Sequence, residues 1–196
     1  MSLAPAKSDG WREAGHGAQA TMNAKQSGRA HQPPAPYSWL WLLVSGVVVW
    51  ADMLTKQWAT EVLELYRPHE VWSWLNMTLA HNYGAAFSFL SDAGGWQRWF
   101  FTALASVVSG VLIVWVLRLP RREWLTGLAL ALVIGGALGN LSDRVQLGYV
   151  VDFVDVHYLG YHWPAFNVAD SAISCGVALL ILDALRQAWG SKPVKQ

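Results

Sequence analysis

Charged residues are scarce in this chain, and cysteine is nearly absent. Lys, Arg, Asp and Glu make up 14% of the 196 residues, 54% are hydrophobic, and the mean hydropathy is +0.24. That balance excludes an ordinary soluble domain and indicates a membrane protein. The single cysteine, Cys175, lies in an apolar run and has no partner for a disulfide within the chain. We expect it to pack between helices as a small apolar side chain.

Motifs for metal binding and for covalent catalysis are missing as well. The loop histidines His81, His157 and His162 do not have the HExxH spacing of a zinc peptidase. The chain has no serine nucleophile elbow and no phosphate-binding loop. We predict no metal, no cofactor and no nucleic-acid partner.

Apolar runs dominate what is present. Each is long enough, or nearly so, to cross ~30 Å of hydrocarbon, and Trp or Tyr marks most of their ends, as expected for rings at the headgroup level. The runs are 38–51 (extending to about 58), 99–119, 124–141 and 168–185. We therefore predict a mainly α, integral membrane protein with four transmembrane helices in one domain, residues 37–189.

The distribution of Lys and Arg predicts the orientation of these spans. Ten basic residues lie in the two terminal segments and in the short turn at 118–123, against four in the loops on the other side. By the positive-inside rule both termini are then cytoplasmic, and the loops at about 59–98 and 142–167 face outward. Residues 1–36 are polar without a hydrophobic period and predict a disordered cytoplasmic tail, and residues 190–196 a short cytoplasmic tail.

The first outer loop carries two structural signals. Val71–Asn82 is rich in β-favouring residues, with Trp72, Trp74 and Asn76 on one side of a period-two pattern, which predicts a short strand. Ala85–Leu90 is apolar between polar neighbours, which predicts a segment lying in the membrane interface. The fold class is therefore completed by a small extracytoplasmic β segment and an interfacial helix.

Acidic residues at the outer ends of the spans are the candidates for chemistry. A carboxylate near hydrocarbon is costly, and such groups usually mark a functional site. Asp152 taken alone fits a solvated loop acid, and Asp170 a favourable charge at a helix N-terminus that Asn167 could cap. Together they predict a paired-carboxylate site in which one acid holds a proton while the other acts as base. From spacing alone, Asp143 and Asp155 are equal candidates for the second acid.

Polar residues on the spans predict the surroundings of that site. Asn140 and Arg144 lie one turn apart and suit the binding of a carbonyl or carboxylate. Gly135 and Gly139 form a small-residue face, which we expect to pack against Ala172 and Gly176 of the last helix. Asp52 and Lys56 also share a helix face, either as a simple ion pair or as a pair that orients groups near the site.

Taken together, these motifs resemble the lipoprotein signal peptidases (signal peptidase II), which are bacterial membrane aspartic proteases. The resemblance covers about residues 38–188 and rests on five motifs in the family's order. They are Asp52-x-x-x-Lys56, Asn82-Tyr83-Gly84-Ala85-Ala86-Phe87-Ser88, Gly135 to Arg144, Val150-Val151-Asp152-Phe153 and Phe166-Asn167-Val168-Ala169-Asp170. This sequence departs from the family in its long N-terminal segment and in Met53, where the family often has Gln.

The resemblance implies an activity and a set of site residues. The activity is removal of signal peptides from prolipoproteins just before the diacylglyceryl-modified cysteine, at the outer side of the bacterial inner membrane. Asp152 and Asp170 match the catalytic pair. Other positions match residues that bind substrate or support the pocket: Asn82, Gly84, Asn140, Arg144, Asn167, Ala169, Asp52 and Lys56. Prolipoproteins and membrane lipids are the expected partners, and we expect a monomer.

Two functions of other classes use the same residues. A small proton-coupled carrier would use the carboxylates as a relay, but would favour acids near the bilayer midplane and an internal repeat. A membrane assembly factor without chemistry would leave the acids replaceable by Asn.

Overall fold

The computed structural model describes residues 34–84 and 94–190 of the chain. In these ranges, four helices are long and apolar enough to cross a membrane. After a 3₁₀ turn at Ser38–Leu40 come α1 (Trp41–Val62), α2 (Trp96–Leu117), α3 (Trp124–Gln146) and α4 (Val168–Gly190). The predicted four-span, mainly α membrane fold is confirmed, with helices that run a few residues beyond the apolar runs because polar residues form their last turns.

Helix α3 is the centre of the bundle. Its apolar window is 56% buried, against 11–17% in the other three spans, so the other helices are mostly lipid-facing. Glycines on α3 allow its neighbours to approach closely. A Cβ at Gly135 would lie 2.6 Å from the Val48 Cβ of α1, and a Cβ at Gly136 would overlap the Ala169 carbonyl oxygen of α4.

The expected pairing of these glycines is therefore wrong in part. Gly135 packs against α1, and it is Gly136, one position later, that packs against α4. Gly176 of α4 packs against the Ala129 carbonyl of α3. A small-xxx-small spacing shows which residues share one helix face, but not which neighbour covers that face.

A four-stranded antiparallel sheet accompanies the bundle. Its strands, in the order β1-β2-β3-β4, are His69–Trp72, Leu75–Asn82, Val150–Tyr158 and Tyr161–His162. The prediction of a short strand in 71–82 is confirmed by β2, but the run also contains the end of β1, because the chain turns back at 73–74 and forms a hairpin. Strand β3 was not predicted, although its Val-Val-Asp-Phe-Val-Asp-Val run is rich in β-favouring residues.

Strand β3 has two buried faces with different surroundings. Val151 and Phe153 pack with Ala59 of α1 and Leu79 of β2 in an apolar cluster. Val150 and Asp152 point to the other side, since successive side chains of a strand alternate. The apolar cluster thus fixes the sheet on α1 and leaves Asp152 facing the polar side.

Some predictions fall outside the described residues. The interfacial segment Ala85–Leu90, most of the N-terminal tail and residues 191–196 are among these. Within the described part, Ala35 donates a backbone hydrogen bond of 2.9 Å to the Leu119 carbonyl. Cys175 is exposed, so the expectation that it packs between helices is wrong.

Candidate active site

Asp152 is held in place by the sheet and by two amide side chains. Asp152 of β3 lies opposite Ala80 of the neighbouring strand β2, and only 2% of Asp152 is exposed. One carboxylate oxygen accepts a hydrogen bond from Asn82 Nδ2 at 3.0 Å, and the other from Asn167 Nδ2 at 2.7 Å. A buried carboxylate with a donor on each oxygen has a defined orientation.

Asp170 is placed by the start of α4. Asn167 Oδ1 accepts a hydrogen bond from the Asp170 backbone N–H at 2.9 Å, and an Asp170 carboxylate oxygen accepts one from the Asn167 backbone N–H at 3.3 Å. This reciprocal pair is a capping box, which satisfies two helix N-terminal donors. Asn167 therefore caps α4, as the sequence predicted, and the cap also fixes the Asp170 side chain.

Asn167 and Asn140 connect the two acids. Asn167 Nδ2 donates to Asp152 and to Asn140 Oδ1 (3.1 Å), and Asn140 Nδ2 donates to the other oxygen of Asp170 at 2.8 Å. Backbone hydrogen bonds between Val154 and Phe166 hold the two ends of the intervening loop side by side. The acids are 18 positions apart in sequence, and this loop closure brings them into one hydrogen-bonded network.

A buried cation lies behind this network. Lys56 Nζ lies 2.7 Å from Asp52 Oδ2, 2.8 Å from Asp143 Oδ2 and 2.9 Å from Asn140 Oδ1. Asp52 uses its second oxygen to accept the Ala169 backbone N–H at 2.8 Å. Asp52 and Lys56 therefore do not form the simple surface pair that was one of their two interpretations; they orient Asn140 and the first turn of α4.

The role of Asp143 was not predicted from the sequence. Besides Lys56, its carboxylate accepts the Val151 backbone N–H at 3.1 Å, so it ties α3 to β3. The available signal was its position one turn after Asn140, on the same helix face. Asp143 is occupied by these contacts and lies apart from the cavity described below.

Arg144 and Gly84 form the last part of the site. Arg144 Nη2 donates to the Gly84 carbonyl at 3.0 Å, and the Gly84 N–H donates to Asn82 Oδ1 at 3.0 Å. The guanidinium also lies 5.3 Å from the Phe101 ring centroid. Arg98, at the start of α2, donates to the carbonyls of Arg144 and Val145, both at 2.8 Å, and so holds the end of α3.

The electrostatics of Asp152 favour the protonated form. Burial, followed by the negative charge of Asp170, raises the pKa of Asp152 to about 7. Hydrogen bonds from Asn82 and Asn167 and the charge of Lys56 act in the opposite direction but do not outweigh these effects. Near neutral pH this carboxyl can therefore keep a proton.

Both acids line one cavity of about 900 Å³. Asn82, Asn140 and Arg144 contribute polar groups to its wall, while Val150, Phe166 and Ile173 contribute apolar surface. Cys175 is also part of the wall. The cavity is large enough for a peptide segment with an apolar side chain, and its polar groups converge on the two carboxylates.

The alternative acid Asp155 lies elsewhere. Its carboxylate contacts His162 Nδ1 at 2.8 Å and accepts hydrogen bonds from Asn76 and Thr78, both at 3.2 Å. Burial alone would raise the pKa of Asp155, but these hydrogen bonds, led by the one from His162, hold it below its usual value. Within residues 34–84 and 94–190, no group of three or more His, Cys, Asp or Glu side chains could hold a metal ion.

Comparison with known proteins decides the family. The model for signal peptidase (SPase) II matches residues 44–186, well over half of the chain. The chain belongs to the signal peptidase II family. The prediction made from its motifs is therefore confirmed, and this member of the family is a peptidase of the aspartic class.

Similar proteins agree with this placement. A lipoprotein signal peptidase of Teredinibacter turnerae is 54% identical over 155 residues, which is 79% of this chain and 90% of that protein. One from Acinetobacter baumannii is 53% identical over 148 residues, 76% of this chain and 84% of that protein. A bacterial membrane enzyme solved by the in meso method at 2.3 Å resolution superposes with a TM-score of 0.73 at 30% identity, covering 85% of this chain and 99% of its own.

Proposed function

We propose that Asp152 and Asp170 together catalyse peptide-bond hydrolysis in this signal peptidase. As a member of its family, the enzyme removes signal peptides from prolipoproteins. The observation that carries the assignment of the two acids is their shared position: both line one cavity, and Asn167 and Asn140 join them in one network. Nothing in the family membership supports the carrier or the assembly factor.

The proposed reaction uses water as the nucleophile. The ionised acid takes a proton from a water molecule, and the resulting hydroxide attacks the scissile carbonyl carbon. The protonated acid donates to the carbonyl oxygen, so the charge that develops there is stabilised. When the C–N bond breaks, the proton taken from water passes to the leaving amine. The raised pKa of Asp152 supports it as the acid that holds the proton, with Asp170 as the base.

The surrounding residues have separate roles in this proposal. Arg144 and Asn140 have polar groups at the cavity wall and hold the substrate backbone. Asn82 and Asn167 orient Asp152, with Gly84 fixing Asn82. Asp52, Lys56 and Ala169 support the start of α4 and act through it.

We also propose where and on what the enzyme acts. It is a multi-pass membrane protein, and we place it in the bacterial inner membrane with both termini in the cytoplasm and the active site near the outer face. Four basic residues on the active-site side against ten on the other support this orientation. The substrate enters laterally from the bilayer and is cut just before its diacylglyceryl-modified cysteine. We propose that the enzyme is a monomer whose residues 1–36 and 190–196 are cytoplasmic tails.

Comparing a lipid-modified substrate with the same substrate without lipid tests this proposal. We expect kcat/KM for the diacylglyceryl-modified prolipoprotein to exceed that of the same unlipidated peptide by at least about tenfold, since burying two methylene groups already contributes that much. The measurement is cleavage by the purified enzyme in detergent micelles. Equal values for the two substrates would contradict recognition of the lipid by the apolar part of the cavity.

The pH dependence of kcat/KM tests the shared proton. We expect the rate to fall as the pH rises through about 7, because Asp152 then loses its proton and both acids are ionised. In Asn82→Ala the hydrogen bond that favours the ionised form is lost, so the pKa of Asp152 rises and the alkaline limb moves to higher pH.

Asn76→Ala is the matched control for this experiment. Asn76 lies on the same strand and donates a similar hydrogen bond, but to Asp155. In the pH profile of kcat/KM, the alkaline limb of Asn76→Ala should coincide with that of the wild type. An Asn82→Ala profile whose limb stays in place, or moves to lower pH, would refute the assignment of the proton to Asp152.

A further inference from the structure

The described basic residues differ in whether they have partners. On the active-site side, all four have ionic or hydrogen-bonding partners: Lys56, Arg67, Arg98 and Arg144. At the opposite end of the bundle, the turn between α2 and α3 contains three arginines, Arg118, Arg121 and Arg122. Among the described residues, none of these three forms an ion pair with an acid.

One of these arginines, Arg121, lines a second cavity that the catalytic proposal does not use, and Arg118 and Arg122 lie beside it in the turn. The cavity has a volume of about 460 Å³ and is mostly apolar. Trp41 and Val44 of α1, Leu119 and Pro120 of the turn, and Tyr37 line it, and Arg121 is its one charged lining residue. An apolar cavity with cationic residues at its border suits a ligand that is apolar at one end and anionic at the other.

The position of this cavity defines the depth of its ligand in the membrane. Helix α2 ends at Leu117, and α1 and α3 begin at Trp41 and Trp124, so three span ends meet here. Tyr37 and Trp124, which lie near the starts of two of these spans, are exposed, as expected for rings at the boundary between hydrocarbon and water. A phospholipid headgroup lies at that depth, with its acyl chains directed along the helices.

Arg121 is placed to bind a phosphate. Its guanidinium carbon lies 5.8 Å from the centroid of the Tyr37 ring. A cation–π contact uses the face of the guanidinium and leaves its N–H groups free to donate in their own plane. Two oxygens of a phosphate can accept such a pair of N–H groups.

From these observations we infer that the cavity lined by Arg121, with Arg118 and Arg122 in the same turn, binds an anionic phospholipid of the leaflet opposite the active site. The phosphate binds the arginines, and an acyl chain occupies the apolar cavity beside Trp41 and Val44. This inference depends on the span ends and the charges, and not on the assignment of Asp152 and Asp170.

Lipid binding to the delipidated full-length protein tests the site. Native mass spectrometry would measure the binding of phosphatidylglycerol and of phosphatidylcholine in separate titrations. A basic residue at a membrane surface contributes about fivefold to the binding of anionic lipid. We therefore expect the triple variant R118Q/R121Q/R122Q to bind phosphatidylglycerol roughly 100-fold more weakly. Arg186→Gln, on the same side but away from the cavity, should weaken binding less than about twofold, because the attraction of a charge falls off within a Debye length.

A second pair of variants tests whether the apolar part of this cavity binds an acyl chain. Val44→Trp fills the cavity and should weaken phosphatidylglycerol binding, whereas Val47→Trp, on an exposed face of the same helix, should not. Cleavage activity in zwitterionic micelles within about twofold of wild type would show that each variant is folded.

Several results would overturn the inference. Equal binding of the two lipids, or no binding of either, would exclude a site for anionic lipid. Competition by inorganic phosphate or glycerol phosphate at the concentration of the lipid would indicate an anion site without an acyl subsite. If Arg186→Gln weakened binding by about fivefold or more, and Val44→Trp had no effect, the lipid would be attracted by the charge of the whole surface and not by this cavity.

Discussion

Asp152→Asn and Asp170→Asn should each lower the rate of prolipoprotein cleavage by at least about 10³-fold, within the range that general acid–base groups contribute. Asparagine preserves the shape of aspartate but can neither take a proton from water nor hold the shared proton. Because the two acids act as one unit, the double variant should be hardly slower than either single variant. The measurement is single-turnover cleavage of a lipid-modified substrate by purified enzyme, with thermal unfolding as the check of folding.

Asp155→Asn is the matched control for this pair. Asp155 lies three residues after Asp152 on the same strand and is also buried, but it contacts His162, Asn76 and Thr78 and does not line the active-site cavity. Its variant should cleave at close to the wild-type rate. Catalysis within tenfold of wild type by folded Asp152→Asn would remove Asp152 from the mechanism. An inactive but folded Asp155→Asn would show that the loss of activity is not specific to the two acids of the cavity.

Lys56→Met should cost about 3–5 kcal/mol in the free energy of unfolding, because it leaves buried carboxylates without their cation. Asp52 has no exposed surface and Asp143 is 9% exposed, and both lie within 2.8 Å of Lys56 Nζ. For a chain of this size, that loss corresponds to a fall in Tm of roughly 10 °C. Turnover should fall too, since Asn140 loses the hydrogen bond that orients it toward Asp170.

The surface ion pair of Arg67 with Glu64 is the control for Lys56. Its N–O distance is 2.7 Å, the same as that of Lys56 with Asp52, but both of its side chains are more than 70% exposed. Water and ions screen such a pair, so Arg67→Met should leave Tm nearly unchanged. Adding Asp52→Asn to Lys56→Met should restore part of the lost stability, because one uncompensated charge is removed. A Lys56→Met protein as stable as Arg67→Met would show that the buried cluster does not hold the site together.

The sheet shows where local patterns were insufficient. The β-favouring run at 71–82 predicts a short strand, which β2 confirms, but it does not reveal the turn at Ser73-Trp74 that divides the run between β1 and β2. Strand β3 was not predicted, because its two aspartates, Asp152 and Asp155, lie three positions apart and interrupt the period of two. Only the pairing of β2 with β3, which buries Val151 and Phe153 against α1, shows that this stretch is a strand.

The candidate site was predictable in its members but not in its connections. The motifs indicated all ten residues, and the structure brings them into one network around the 900 Å³ cavity. The hydrogen bond from Asn167 to Asp152, and the salt bridge from Lys56 to Asp143, join residues that lie 15 and 87 positions apart. Sequence spacing predicts neighbours on one helix, but it does not predict contacts between helices.

By itself, the sequence determined that this protein has four membrane spans, because hydrophobic length acts locally along the chain. The peptidase family was indicated by the resemblance of its motifs. Tertiary structure decided how its acids are arranged. By spacing alone, Asp143 and Asp155 were equal candidates for the second acid of the pair, and packing separates them from Asp152 and Asp170: two acids face one cavity, one neutralises Lys56, and one pairs with His162. The physical reason is that the charge and burial of a carboxylate depend on groups brought near it by folding, which are distant in the chain.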